Sequence, residues 1–383
     1  MSSKKDFIIG IDASNIRHGG GVTHLSQFLD HAELDNIEVF IWSNEKTLQS
    51  IKDRAWLTKL SNNLLEGNFF KRTFWQLFQL RNSLEYHSCN LLFVPGSSFG
   101  TKFRPVVTMN QNLLPFELKE IMRYGLSINS LKFLFLRIIQ GNSFINSDAI
   151  IYLSEYSKKV VEKNAHTGNI QSTIIPHGVE ERFAMYPREQ KDIKEYSKDN
   201  PFRIIYISSI DYYKHQWNVV EAVARLKKDG LNIALDLYGV GNKDPLIKLK
   251  KSMKKNDPRK EYIRYKEEID FKEIESVYFS ADLSIFASSC ESFGQIVLES
   301  MAAGLPIACS NMSTMKEIVK DGALFFNPLE VDEIEDSLIK LINSPELRLD
   351  IALKAYNYSQ DYSWKIASDR TFKFLENIIR DQE

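Results

Sequence analysis

The chain lacks long apolar runs, a strong net charge and a rich set of cysteines. No apolar run approaches the roughly 20 residues that a membrane-spanning helix needs. The formal net charge of −1 argues against a general nucleic-acid binder, whose surface would be strongly basic. Three cysteines, Cys89, Cys290 and Cys309, have no metal-ligand spacing and fit a reducing compartment. The N-terminal sequence also lacks the cleavage site of a secretory signal, so we expect a cytoplasmic location.

The chain has enough length and apolar content for two domains. It has 383 residues, of which 43% are hydrophobic and 26% charged, as in globular proteins. Short apolar runs alternate with longer amphipathic ones, which predicts an α/β fold with parallel sheets. The strand candidates are FIIGID, EVFIWS, NLLFVPG, VVTM, AIIYLS and STIIPHG, followed by residues 202–208, 233–238, 281–287 and 306–309.

A polar, charged stretch over residues 184–200 marks the predicted domain boundary. We therefore predict a first domain over residues 1–185 and a second over residues 200–361. A final helix is expected from about residue 346 to the end of the chain.

The segment over residues 286–304, FASSCESFGQIVLESMAAG, places Glu291 and Glu299 around one predicted helix start, with seven residues between them. Ser292 is a candidate N-cap, and Gln295 stands where a capping-box partner belongs. The helix should therefore begin at residue 292 or 293.

The start of this predicted helix has the properties of an anion site. Gly294, beside Phe293 and Gln295, would let a ligand approach the backbone without a Cβ in the way. Unsatisfied N–H groups and the positive end of the helix dipole suit a phosphate group. The two carboxylates could then contact two parts of one extended ligand.

A second glycine-rich segment follows the first predicted strand. Gly19, Gly20 and Gly21 lie between IIGID and the apolar-periodic VTHLSQFL, which is the arrangement that exposes backbone donors to a diphosphate or an acceptor group. A plain tight loop is an equally good interpretation, and the spacing is not the G-x-G-x-x-G dinucleotide fingerprint, which disfavours a dehydrogenase. His24, one turn into the helix, is interpreted as a packed side chain.

The phrase ESFGQIVLESMAAGLP resembles the E-x7-E signature of family 4 retaining glycosyltransferases. The resemblance implies a GT-B architecture, with two Rossmann-like doubly wound domains facing a cleft and a C-terminal helix, about residues 362–383, joining the first domain. It assigns Glu291 to the transferred sugar and Glu299 to the ribose of the nucleotide. It also implies that no metal ion or other cofactor is needed.

Two departures from the family pattern concern phosphate binding and proton transfer. Relatives carry G-R-x-x-x-x-K after the first strand of the second domain; here Lys214 occupies the Lys position and Ser209 replaces the Arg. Phosphate binding should then depend on Lys214, the helix at Gly294 and His215. Where relatives have a histidine turn in the first domain, this chain has Asn110 in NQN, and amides cannot shuttle protons.

Three further residues have roles only by this resemblance. Gly239, in the segment YGVG, would lie near the nucleotide base. His177 stands at the interdomain turn, and Glu317 begins another helix that would approach the nucleotide.

Two segments, residues 69–81 (FFKRTFWQLFQLR) and 131–139 (LKFLFLRII), combine aromatic and aliphatic residues with cations. Both could lie in a membrane interface, with the apolar face inward and the cations toward anionic headgroups. The alternative is two helices of a domain core with charged edges.

The sequence therefore predicts a retaining hexosyltransferase that uses a nucleotide-diphosphate sugar as donor, with Glu291 and Lys214 as its catalytic residues. By analogy, the acceptor is a glycan or lipid-linked glycan, such as a polyprenyl-diphosphate-linked O-antigen or capsule precursor at the inner face of the cell membrane; no nucleic acid partner is expected. Two alternatives stay open: a nucleotide-sugar epimerase of the same fold, and a catalytically inactive nucleotide-sugar-binding subunit of a glycan-assembly complex.

Overall fold

The computed structural model describes residues 6–267, 269–270 and 273–382. The N-terminal Lys4 and Lys5 lie outside these residues. The chain divides into two compact units. Unit 1 comprises Met1–Glu117, Ser127–Gly178 and Ser363–Glu383, and unit 2 comprises Leu118–Leu126 and Val179–Tyr362.

Unit 1 is built on a seven-stranded sheet in the order β3-β2-β1-β4-β5-β6-β7, with every neighbouring pair parallel. Its strands are β1 Phe7–Asp12, β2 Ile37–Trp42, β3 Leu57–Leu60, β4 Leu91–Val94, β5 Val106–Met109, β6 Ala149–Tyr152 and β7 Gln171–Ile174. Its helices are α1 Gly20–Asp30, α2 Glu45–Gln49, α3 Phe69–Phe78, α4 Leu80–Tyr86, α6 Ile128–Ile145, α7 Glu155–Ala165 and α15 Trp364–Arg380.

Unit 2 is built on a six-stranded parallel sheet in the order β10-β9-β8-β11-β12-β13. Its strands are β8 Phe202–Ile207, β9 Ile233–Tyr238, β10 Ile263–Lys266, β11 Leu283–Phe286, β12 Ile307–Ser310 and β13 Leu324–Phe326. Its helices are α5 Leu118–Met122, α8 Gln216–Lys228, α9 Lys243–Asn256, α10 Ile274–Phe279, α11 Gln295–Ala302, α12 Met315–Val319, α13 Val331–Asn343 and α14 Pro345–Ser359.

Both sheets have the strand order of a doubly wound fold, in which the order reverses beside the first strand. The central strands β4 and β11 are buried along their whole length, because helices cover both faces of a parallel sheet. The predicted α/β fold with two Rossmann-like sheets is confirmed. Ligands of such sheets bind beyond the carboxyl ends of the strands, near the reversal, which lies between β1 and β4 in unit 1 and between β8 and β11 in unit 2.

The sequence analysis missed three strands, β3, β10 and β13. Each lies at an edge of its sheet. Edge strands have one neighbour and meet solvent, so LTKL of β3 and IRYK of β10 lack the continuous apolar run of a central strand. The third missed strand, β13, is apolar but has only three residues.

The single final helix of the sequence prediction is wrong. The structure has α14 and α15 separated by four residues, and the side chain of Ser363 caps α15 by accepting a hydrogen bond from Lys365 N at 3.2 Å. In unit 1, the Phe372 ring of α15 stacks on Phe28 of α1 at a centroid distance of 5.0 Å.

No helix in the described part of the chain combines the length and the apolar character needed to cross a bilayer.

Candidate active site

Lys214 and Glu291 form an ion pair in unit 2. Lys214 ends the 3-10 turn Tyr212–Lys214 that follows β8, and Glu291 lies in the loop after β11. Since β8 and β11 are parallel neighbours, their carboxyl ends share one edge of the sheet, and Lys214 Nζ donates directly to Glu291 Oε1. The two side chains are only 8% and 16% exposed. The structure thus brings together the two residues predicted to be catalytic.

Aromatic side chains fix the position of Lys214. Its Nζ lies 4.9 Å from the ring centroid of Phe286, the last residue of β11, and 5.1 Å from that of Tyr213. The Tyr206 hydroxyl, from β8, donates to the Lys214 carbonyl at 2.6 Å. Such ring faces stabilise an ammonium group. Sequence reasoning missed these residues, although Phe286 at a strand end was a usable signal.

Asp211 holds the turn that carries Lys214. Its carboxylate accepts hydrogen bonds from Tyr212 N at 2.7 Å, from Asn242 Nδ2 at 2.7 Å and from the Tyr124 hydroxyl at 2.5 Å. Burial, followed by the hydrogen bond to Asp211, raises the pKa of Tyr124, so its phenol keeps the proton that it donates. Tyr124 comes from the Leu118–Leu126 segment, which no sequence pattern connected with unit 2.

The backbone of Glu291 is fixed by a single hydroxyl group. Ser313 Oγ accepts from Glu291 N at 2.8 Å and donates to Glu291 O at 2.7 Å. Ser313 itself has a φ of 58°, which is unusual for a residue with a side chain. This clamp orients the loop that presents the carboxylate to Lys214.

Helix α11 begins later than the sequence predicts. Its first residue is Gln295, and its N-cap is Gly294, which makes no side-chain capping bond; the expected capping box between Ser292 and Gln295 is therefore wrong. Gly294 has a φ of 100°, and a Cβ there would lie 2.5 Å from Met315 Cε. Glycine is needed here for the left-handed turn and the packing of Met315.

The side chain of Phe293 belongs to the core of unit 2. The residue is 2% exposed, and its ring centroid lies 5.7 Å from that of Tyr362. A predicted binding role for Phe293 can therefore involve only the peptide group beside the start of α11.

Glu299 is held by partners different from those of Glu291. It lies in α11, is 7% exposed and accepts a hydrogen bond from the Tyr278 hydroxyl at 2.8 Å. Burial raises the pKa of Glu299 to about 7, although its hydrogen bonds with Tyr278 and Gln295 oppose the rise. The Gln295 side chain thus points along its own helix toward Glu299. Sequence reasoning missed Tyr278, which has no distinguishing pattern.

The remaining predicted positions of unit 2 lie at the ends of β8 and β9. Ser209 is exposed, and its carbonyl accepts from Gln216 Nε2 at 2.8 Å. Gly239 has a φ of 132° and packs against the Ser208 carbonyl so closely that a Cβ would clash. The glycine is thus required by the fold.

His215 cannot supply the positive charge expected of it. Burial, helped by the charges of Arg123 and Lys248, lowers its pKa to about 3, so the imidazole is neutral at physiological pH. Its Nε2 lies 2.9 Å from Ser289 Oγ. Of the cations considered for phosphate binding in the sequence analysis, Lys214 keeps its charge-bearing role.

Gly20 and Gly21 begin α1 in unit 1, after Gly19 with a φ of 63°. A Cβ added to Gly20 would meet nothing within 4 Å, so this helix start is open. His24, one turn on, is buried and stacks on His177 at a centroid distance of 4.7 Å. Burial and His177 hold the pKa of His24 well below its usual value, which agrees with its interpretation as a packed side chain.

Asn110 directly follows β5 and is fully buried. Its Nδ2 donates to Asn112 O at 3.2 Å, and its Oδ1 has no hydrogen-bond partner among the described residues. The adjacent Gln111 has its Nε2 3.1 Å from His24 Nδ1. The amides that replace the expected histidine thus form part of the packing around α1.

Most of unit 2 is similar to one known protein family. Residues 187–358 match the family described as "Glycosyl transferases group 1". The matching residues cover most of unit 2 and include Lys214, Glu291 and Glu299.

Curated relatives are similar to parts of the chain. O-antigen chain mannosyltransferase B of Escherichia coli is 26% identical over 113 residues, which are 30% of this chain and 30% of that protein. The UDP-N-acetylglucosamine–peptide N-acetylglucosaminyltransferase GtfA subunit of Streptococcus pneumoniae is 25% identical over 259 residues, 62% of this chain and 50% of that protein. The chain thus spans at most half the length of these two relatives.

Solved structures with the same fold match nearly the whole chain. Sucrose-phosphate synthase from Thermosynechococcus elongatus has a TM-score of 0.76 at 13% identity, covering 98% of this chain and 100% of that one. HepE of Anabaena in complex with UDP-glucose has a TM-score of 0.70 at 16% identity, covering 97% and 99%. At these identities the likeness establishes the GT-B fold.

Proposed function

We propose that this protein is a retaining glycosyltransferase that moves a hexosyl group from a nucleotide-diphosphate sugar to a glycan acceptor. The observation that carries the proposal is the buried pair of Lys214 and Glu291 at the shared carboxyl edge of β8 and β11. It lies within a glycosyl transferases group 1 domain, and similar folds have been solved with UDP and UDP-glucose.

In the proposed reaction, an acceptor hydroxyl attacks the anomeric carbon while the bond between that carbon and the β-phosphate oxygen breaks. The departing diphosphate takes the acceptor's proton and gains negative charge. Lys214 Nζ and the N–H groups at the start of α11 stabilise this charge, and one preorganised donor of this kind is worth about 100–1000-fold in rate. Glu291 orients the sugar, and Glu299 accepts hydrogen bonds from the ribose.

The ion pair has a consequence for donor binding. Because Glu291 accepts a hydrogen bond from Lys214, a diphosphate that binds Lys214 must share or displace that carboxylate. The ion pair with Glu291 and the two aromatic rings offset the cost of removing the Lys214 side chain from water. The proposal involves no metal ion, and we expect a chelator to leave transfer unchanged.

The proposed acceptor is a polyprenyl-diphosphate-linked glycan at a membrane surface. Helices α3 and α6 of unit 1 expose large apolar side chains, and neither contains an acidic residue. The most exposed of these are Phe70, Phe78, Ile128, Leu131 and Ile138, at 61–84%. The loop between β4 and β5 packs against both helices. Its Gly100 contacts Leu77 of α3, and its Phe99 N donates to Ser143 Oγ of α6 at 3.2 Å.

This exposure favours the interfacial interpretation of the two segments over that of core helices. An anionic bilayer complements both the apolar side chains and the cations Lys71 and Lys132 of the same helices. The name of the E. coli relative, an O-antigen chain mannosyltransferase, is in keeping with such an acceptor. The protein would then work at the inner face of the cell membrane.

The proposal is tested first by donor binding and then by transfer. Thermal unfolding with UDP, GDP and their sugar derivatives identifies the donor, because a ligand that binds the folded state raises its melting temperature. Transfer is then measured with that donor and a polyprenyl-diphosphate-linked oligosaccharide, and the product's anomeric configuration is read by NMR. We expect transfer with retained configuration; an inverted product would exclude the retaining mechanism.

The same measurements separate the two alternatives. Formation of an epimer from donor alone would favour the epimerase. Donor binding without acceptor-dependent donor loss in a single turnover would favour the inactive binding subunit, for which the replacement of an Arg by Ser209 is the motivating observation.

A further inference from the structure

Two arginines of unit 1 meet beside the open start of α1. Arg17 lies in the loop between β1 and α1, and Arg72 lies in the first turn of α3. Arg72 Nε donates to Asn15 Oδ1 at 3.2 Å, and its Nη1 donates to Gly67 O at 3.1 Å. Arg17 Nη2 donates to the Leu65 carbonyl. Both guanidinium groups are thus anchored on the same short segment before α3.

The charges of these two arginines are not neutralised by their hydrogen bonds, since every acceptor just named is an uncharged oxygen. Among the residues that the structure describes, no carboxylate is within ion-pair distance of either group, and Arg17 Nε is enclosed without a partner. Burial and then the charge of Arg17 lower the pKa of Arg72, while Asp12 opposes this. The pair therefore has an excess of positive charge.

Asp12, the acidic residue whose charge acts on Arg72, makes its hydrogen bonds with other residues. It is buried at the end of β1 and accepts from Ser14 N at 3.0 Å and from Gln76 Nε2 at 2.6 Å. Burial raises the pKa of Asp12, which weakens it further as a counter-charge. Half-buried guanidinium groups with unused donors favour a planar or branched anion, above all a phosphate.

The surroundings of the pair indicate which anion fits. The N-terminal end of the eleven-residue helix α1 adds backbone donors with nothing packed over Gly20. On the other side, the same helix that carries Arg72 exposes Phe69, Phe70 and Phe74, at 43%, 78% and 49%. A ligand with phosphate at one end and a hydrocarbon chain at the other would satisfy both features.

We propose that Arg17 and Arg72 bind the diphosphate of the lipid-linked acceptor, with its hydrocarbon chain along α3. This inference rests on the proposed function, since it names the acceptor's binding group. Arg17 and Arg72 thereby become acceptor-binding residues of unit 1, separate from the donor-binding Lys214 and Glu291 of unit 2. The shared chemistry is a diphosphate, which a free diphosphate could also supply.

The test measures binding of farnesyl diphosphate, inorganic pyrophosphate and farnesol to the full chain by calorimetry, in the presence of saturating UDP or GDP. We expect the Arg17→Gln/Arg72→Gln variant to lose at least about tenfold in farnesyl diphosphate affinity, as for two charge-assisted contacts. Pyrophosphate should bind more weakly than farnesyl diphosphate, and farnesol more weakly still. Equal affinity for pyrophosphate would overturn the lipid-linked source.

Arg54→Gln is the matched control, because Arg54 is another half-buried arginine of unit 1 that donates to a backbone carbonyl, that of Asp30 at the far end of α1. It should bind farnesyl diphosphate as the wild type does. The Arg17→Lys/Arg72→Lys variant, which keeps the charge, should lose less than the Gln variant. Equal farnesyl diphosphate affinity in the wild type and the Gln variant overturns the inference.

Nucleotide affinity, measured in the same variants, reports on folding and on the proposed function separately. Unchanged UDP or GDP affinity together with an unchanged melting temperature shows that the Arg variants are folded in both units. A wild type that binds neither nucleotide, yet binds farnesyl diphosphate through these arginines, would overturn the proposed donor and leave the diphosphate site standing.

Discussion

The two units have the same kind of sheet, but the cations near the carboxyl ends of their strands have different partners. In unit 2, Lys214 is matched by Glu291 and enclosed by aromatic rings. In unit 1, Arg17 and Arg72 donate to neutral oxygens. A lysine that already has a carboxylate partner suits a site where negative charge develops on a leaving diphosphate during the reaction. Two arginines without a carboxylate partner suit a site that binds an anion whose charge does not change.

The largest effect is expected from breaking the matched charges of unit 2. We expect Lys214→Ala to lower the rate of sugar transfer about 100–1000-fold, the cost of one preorganised donor. Glu291→Gln should also lower the rate, with nucleotide affinity retained. Steady-state kinetics with the donor from the thermal panel check this, and a loss below about tenfold for Lys214→Ala would contradict its role.

Next in size is the pH response of Glu299. A carboxyl whose pKa is raised from 4.5 to about 7 on folding contributes stability below pH 4.5, and this contribution is lost as the pH rises to about 7. Glu299→Gln should therefore gain about 3 kcal/mol relative to the wild type between these pH values. Urea unfolding at several pH values measures this difference; parallel profiles for the two proteins would show that Glu299 is not so perturbed.

A smaller effect is expected where unit 2 recruits the Leu118–Leu126 segment. Tyr124→Phe removes the hydrogen bond to the Asp211 carboxylate and should destabilise the protein by about 2 kcal/mol, as for a bond to a charged group. It should also raise the donor KM more than it lowers kcat. Tyr86→Phe, at an 83% exposed tyrosine of unit 1, is the control and should change neither quantity.

The smallest effect concerns the apolar surface of unit 1. Replacing Phe70 and Leu131 with serine should weaken binding to anionic vesicles by at least about tenfold, because buried apolar area and charge together set the affinity. Stability should hardly change, since the side chains are 78% and 69% exposed. Vesicle co-sedimentation checks this, and unchanged binding to phosphatidylglycerol vesicles would argue against a membrane role for α3 and α6.

Whether a strand could be predicted from the sequence depended mainly on whether it is central or at an edge of its sheet. The central strands could be identified because burial on both faces demands continuous apolar runs, as in LLFV and AIIY. The edge strands β3 and β10 could not, since a half-exposed backbone imposes little on sequence, and β13 is only three residues long. The edge strand β7 was nevertheless predicted, within STIIPHG. The start of α11 was misplaced because a left-handed Gly294 with Met315 packed on it, rather than a side-chain cap, begins the helix.

In the candidate site, local sequence pattern predicted Glu291, Glu299 and Gly294, and family resemblance predicted Lys214. The supporting residues were invisible because their roles depend on contacts between distant segments. Tyr278 and Glu299 are 21 residues apart, and Tyr124 and Asp211 are 87 apart. For His215 the prediction was wrong for another reason: the residue type implied a positive charge, but burial lowers the pKa of the imidazole and removes that charge.

The course of the chain also bears on how the protein is made. Phe372 of α15 packs on Phe28 and, at 6.4 Å between centroids, on Trp56 of unit 1, although 184 residues of unit 2, 179–362, are synthesised in between. The core of unit 1 is therefore incomplete until α15 has been synthesised. During translation all strands of unit 2 are made before α15, the helix that completes unit 1. Synthesis of unit 1 therefore begins first, but unit 2 is the first to have all its elements.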